Sequence, residues 1–100
     1  MAKIGTFSRN PDGSFVGEVV TLSVQASNVR IVPIDGPIAG APNHRVTVGS
    51  AEIGAGWPSD DNTGVLLVEL DDPSFLAPIR ATLRASGDET KYDLIWSRPD

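Results

Sequence analysis

The segment Ile79, Arg80, Ala81, Thr82, Leu83, Arg84, then Ser86, Gly87, Asp88, Glu89, Thr90, then Lys91, Tyr92, Asp93, Leu94, Ile95, Trp96, Ser97 alternates, turns and alternates again. Ile79, Ala81 and Leu83 share one face of a strand and Arg80, Thr82 and Arg84 the other. Tyr92, Leu94 and Trp96 in turn oppose Asp93, Ile95 and Ser97. Side chains of an extended chain repeat every two residues, so two such runs about a polar, glycine-containing turn specify an antiparallel hairpin.

Outward from this hairpin the same pattern recurs about every ten residues, the signature of an antiparallel sandwich or barrel. Lys3 to Ser8 and Phe15 to Gln25 flank Asn10, Pro11, Asp12, Gly13, where Pro presets φ and Gly takes the positive φ that closes a turn. The second run is apolar on both sides and holds Gly17, which predicts a bulge or bend. A turn over Ala26 to Asn28 leads to a third strand, Val29 to Asp35, whose Pro33 cannot donate to a ladder and so predicts an edge or a bulge. After a loop, Gly36 to Pro42, come His44 to Gly49 and Glu52 to Trp57, the latter with Ile53, Ala55 and Trp57 on one face. Val65 to Leu70 is an apolar run expected to be buried on both faces or to lie centrally. It stops at Asp71 and Asp72 and crosses Pro73, Ser74, Phe75, Leu76, Ala77, Pro78 before Ile79. No apolar pattern at helical spacing persists for ten residues. The expectation is one all-β domain over residues 1–100, an antiparallel β-sandwich or partly open barrel of about eight strands.

A chain of 100 residues can bury roughly 60 to 65% of its unfolded surface, enough for one modest core. Its 40% hydrophobic and 21% charged residues are ordinary for a globular domain. The absence of a bilayer-length apolar run and of an apolar leader before Lys3 fits a soluble, cytoplasmic protein. So does the absence of cysteine, which removes disulfide and thiolate chemistry. Acidic residues outnumber basic ones by 13 to 8, a net charge of −5, which disfavours nucleic acid as a partner because phosphate binding rests on Lys and Arg.

Catalytic chemistry finds little support. His44 is the sole histidine and no glycine-flanked nucleophile elbow accompanies it, so a structural or surface role is expected over a Ser/His/Asp triad. One histidine and no cysteine give no zinc site, and no glycine loop cradles phosphate. Adjacent carboxylates on a strand point to opposite faces, so Asp72 is expected to form an Asx turn before Ser74, and Asp60 and Asp61 to be solvated turn residues. No metal, cofactor or catalytic residue is expected. Two surfaces are candidates for binding. Phe75 and Leu76 are apolar residues in a loop, where they either plug the core or meet a partner; with the acidic turns at Asp60, Asp61, Asp88 and Glu89 they form the candidate protein-binding set. Arg80, Thr82 and Arg84 are the alternative, a stripe that beside aromatic residues would bind single-stranded nucleic acid. The aromatic residues, however, are expected on inward faces, and Arg80 and Arg84 to make cross-strand ion pairs with Glu69 or Asp93. Free sheet edges would also permit a homodimer.

Six segments together carry a resemblance: Ile4 to Phe7; Val29 to Pro33; His44, Arg45, Val46; Glu52 to Trp57; Leu70 to Phe75; and Leu94 to Arg98. In this order the chain resembles the bacterial domain-of-unknown-function family 736, small proteins of plasmids and integrative mobile elements. Where such proteins often carry a tyrosine before the Arg-Val pair, this chain has His44. The resemblance brings no catalytic assignment. It implies a cytoplasmic accessory protein of a mobile element serving transfer, maintenance or counter-defence; the residues themselves lead to the expectation of a non-enzymatic protein that binds a protein partner or itself, with no membrane role.

Overall fold

The computed structural model describes residues 2–22, 24–36, 40–58, 65–88 and 90–97. Eight strands follow one another: β1 (Ala2–Arg9), β2 (Phe15–Val20), β3 (Gln25–Pro33), β4 (His44–Val48), β5 (Ala51–Pro58), β6 (Leu66–Leu70), β7 (Ile79–Ala85) and β8 (Lys91–Trp96). Each pairs antiparallel with the next, and β8 pairs with β1 from Ala2↔Trp96 to Ser8↔Lys91, so the sheet closes into an up-and-down barrel. The all-β antiparallel expectation holds, but the sheet is a closed barrel, neither a sandwich nor partly open. Closure removes every sheet edge and with it the edge-to-edge dimer. Pro33 marks no edge. Ile34 N–H donates to Asn43 O across the β4 side, so the missing N–H of Pro33 faces β2, which begins only opposite Ile31.

Period two drives the inward faces into one core. Phe7, Val19, Val29, Ile31, Val46, Leu70, Leu83 and Leu94 are almost completely buried there. Three irregularities tighten the curve. β1 is irregular between Lys3 and Gly5, β2–β3 between Gly17 and Val19, and β4–β5 between Val46 and Thr47. At Gly17 and Gly54 the backbone of the neighbouring strand, Thr6 O and Glu69 O respectively, occupies the place a Cβ would take; the strands approach this closely only because these residues lack one.

Three local expectations are corrected. The run Phe15 to Gln25 is interrupted: Thr21 N–H donates to Val24 O at 2.7 Å and Val24 N–H to Thr21 Oγ1 at 3.0 Å, a turn closed by a threonine hydroxyl without Gly or Pro. The expected turn over Ala26 to Asn28 lies inside β3. There Ala26↔Val19 and Val29↔Gly17 leave Ser27 and Asn28 against Glu18, and Asn28 adopts φ 55°, a bulge with asparagine in the left-handed region. β6 is likewise one-sided: Leu66, Val68 and Leu70 are buried, whereas Leu67 faces out and is 47% exposed.

Candidate functional site

Successive connections of an up-and-down barrel alternate between its ends, so the β2–β3 turn and the β6–β7 loop share one end and the β7–β8 turn lies at the other. In the β6–β7 loop Asp72 Oδ2 accepts from Ser74 N–H at 2.9 Å and from Ser74 Oγ–H at 2.6 Å, and Phe75 N–H donates to Asp72 O at 2.8 Å. This is the expected Asx turn. The Ser74 hydroxyl, then the Ser74 backbone N–H, hold the Asp72 carboxyl below its ordinary value of 3.8. The turn aims Phe75 back at the barrel, where it packs half-buried against the core together with Val24 and Ile79. Phe75 is thus the plug. Leu76, its neighbour, is 108% exposed, and Leu22 of the β2–β3 turn is 103% exposed. Val24, Phe75, Leu76 and Ile79 line a recess of about 400 Å³ at this end.

Asp88 belongs to the other end of the barrel, where Thr90 N–H donates to Asp88 Oδ1 at 3.3 Å and Lys91 N–H to Asp88 O at 3.2 Å. The structure therefore separates Asp88 from Phe75 and Leu76. Asp60, Asp61 and Glu89 lie outside the described residues. At Asp88's end, Phe15 meets Tyr92 edge-to-face with centroids 4.9 Å apart, and His44 lies 6.3 Å from Phe15. The His44 Nδ1 is 2.8 Å from Asn43 Oδ1, and burial pushes its imidazole below the ordinary 6.5. Half-buried beside Phe15, the ring sits as a packing group. Among the described residues no group of three or more His, Cys, Asp or Glu is placed to hold a metal, and no helix is long and apolar enough to cross a membrane.

The side of the barrel brings together Arg80, Thr82 and Arg84 around residues that the sequence reading placed inside. The ladder aligns Trp57↔Leu67, Leu67↔Thr82, Thr82↔Ile95 and Lys3↔Ile95 in one row. All share the outer face with Leu67. Trp57 reaches it because the β5 bulge absorbs one residue: Val46↔Gly54 and Thr47↔Glu52 leave Ile53 unpaired and buried, so Ile53 points in and Ala55 and Trp57 point out. A plain alternation through Ile53 hides this, and Gly54 and Gly56 inside a strand were the only local hint of it. Trp57, Leu67, Glu69, Arg80, Thr82, Arg84 and Ile95 line a groove of about 370 Å³. On the other side of Trp57, a second groove of about 360 Å³ is lined by Arg45, Glu52, Ala55, Glu69 and Asp71 among others. Arg80 Nε donates to Glu69 Oε2 at 3.0 Å, as the cross-strand expectation had it, and Lys3 Nζ lies 3.8 Å from Asp93 Oδ1. Arg84, opposite Asp93 in the ladder, takes part in neither pair.

A family model described as a protein of unknown function, DUF736, matches residues 3–99. The chain belongs to this family. No curated protein and no solved structure matches it. Several segments that carried the DUF736 resemblance are now structural devices: Glu52 to Trp57 is the bulged strand that turns Trp57 outward, and Leu70 to Phe75 is the Asx turn that seats the plug. DUF736 membership attaches no activity to any of these residues.

Proposed function

We propose that this DUF736 chain is a non-enzymatic binding protein that engages a protein partner through the apolar end formed by Leu22, Phe75 and Leu76. On this reading it is an accessory protein of a mobile element acting in transfer, maintenance or counter-defence. One observation carries the reading: two leucines from separate connections at the same end of the barrel, Leu22 and Leu76, are both fully exposed, and Leu76 lines a recess there. Covering a leucine side chain contributes about 1.5–3 kcal/mol, and among the described residues neither Leu22 nor Leu76 is covered. Nucleic acid on Arg80, Thr82 and Arg84 is the weaker reading. Arg80 is already held by Glu69, and the net charge of −5 opposes approach of phosphates.

The test is an affinity capture from the native host with the tagged wild type and with Leu22→Asp/Leu76→Asp, after nuclease treatment and in high salt. Both substitutions fall on exposed side chains, so the fold is retained. The expected result is a stoichiometric protein that the wild type retains and the double variant loses. Equal retention by the variant overturns the assignment of the surface, and recovery only through salt-sensitive nucleic acid overturns the function.

A further inference from the structure

We propose that the outer face of β5–β7 is a self-docking surface, on which two copies of this chain meet about a two-fold axis crossing the middle of β6. This surface is on the side of the barrel, separate from the apolar end, and the proposal stands without the reading given for that end.

The face has the composition of an interface centre. Trp57 and Leu67 stand side by side on it, flanked by two grooves that both reach Trp57 and Glu69. Aromatic anchors at the middle of a patch carry most of the energy of protein association. The grooves differ in sign. Arg80 and Arg84 line one, Glu52 and Asp71 line the other, and Glu69 is common to both. Arg45, the arginine that lines the acidic groove, lies 4.0 Å from Glu52, so three carboxylates, Glu52, Glu69 and Asp71, stand against one guanidinium there.

A two-fold contact requires a patch that complements itself, residue i touching j while j touches i. The ladder supplies that relation. Arg84 lies one strand to one side of β6, just beyond the Leu66↔Leu83 pair, and Glu52 lies one strand to the other side, just beyond Gly54↔Leu70. The midpoint between them falls at the centre of β6. An axis through that point, at right angles to the line joining the two residues, carries Arg84 of each copy over Glu52 of the other. Trp57 falls beside this axis, so the two indoles meet at the centre of the contact. Arg80 also falls near it, but each Arg80 brings Glu69 with it, which offsets the like charges. The convex face of about three strands is smaller than the ~800 Å² per partner of a standard interface. The dimer is accordingly a reversible one, filling as concentration rises.

Sedimentation velocity on the full chain over a wide concentration range tests this, with circular dichroism verifying the fold of each variant. The wild type is expected to move from monomer towards dimer mass, and Arg84→Glu and Glu52→Arg each to weaken dimerisation about tenfold or more. Mixed one to one, the two variants are expected to regain wild-type association, because their heterodimer restores both oppositely charged pairs. A wild type that stays monomeric overturns the proposal. So does a mixture that fails to recover, and so does a monomeric wild type that binds an oligothymidylate which Arg84→Glu cannot bind, an outcome assigning the face to single-stranded nucleic acid.

Discussion

His44 is half-buried beside Phe15, with burial lowering its proton affinity. In the unfolded chain the imidazole takes up a proton near 6.5, and in the folded chain only at lower pH. The unfolded state is therefore the better proton binder between the two values, and stability that is complete above about pH 6.5 is lost as pH falls towards the folded value. The lowered carboxyls of Asp12 and Asp72 titrate below this window. Urea unfolding from pH 7.5 to 5 is expected to show the midpoint of the wild type falling and that of His44→Gln staying level. At this scale the sequence was legible wherever a side chain acts on its own backbone: Asp72 before Ser74 is an Asx turn on any scaffold. Trp57 was not legible, because its side of the sheet is decided four residues earlier by a bulge at Ile53 that depends on pairing with β4.

The β2–β3 hairpin is the element in which pairing overrode local propensity. Thr21 through Val24 contain no glycine, proline or asparagine, so the turn is invisible to composition and is held by the Thr21 hydroxyl. Asn28 looks like turn chemistry and is instead the left-handed residue of a bulge. That assignment has a direct check. Asn28→Gly is expected to leave stability nearly unchanged, whereas Asn28→Val forces a β-branched residue into positive φ and is expected to cost about 1–2 kcal/mol, measured as a drop in urea midpoint. A residue in an ordinary strand would rank the two substitutions the other way, since glycine weakens strands and valine favours them. The remaining strands were legible to within a few residues because each carries its own alternation.

Closure is a property of the whole molecule. All-β antiparallel architecture follows from local runs, but whether the sheet stays open depends on β1 meeting β8, a contact such as Lys91 Nζ to Ser8 Oγ at 3.0 Å that spans 83 positions of sequence. No local pattern encodes it. Amide exchange reads it out: in an open sheet, alternate N–H groups of the two edge strands face water and exchange fast, whereas here the paired amides of β1 and β8 are expected to be protected like those of β3 and β6. Fast alternate exchange confined to β1 and β8 is the result that closure forbids.

Because Ala2 lies across from Trp96, the first and last strands are as much neighbours as any two joined by a turn. Geometrically the protein is a ring of eight strand pairings, and the one between β8 and β1 is held by the ladder without a connecting turn. The order in which the strands leave the ribosome is then a matter of bookkeeping, and the same ring can be opened at another joint without any strand changing its neighbours.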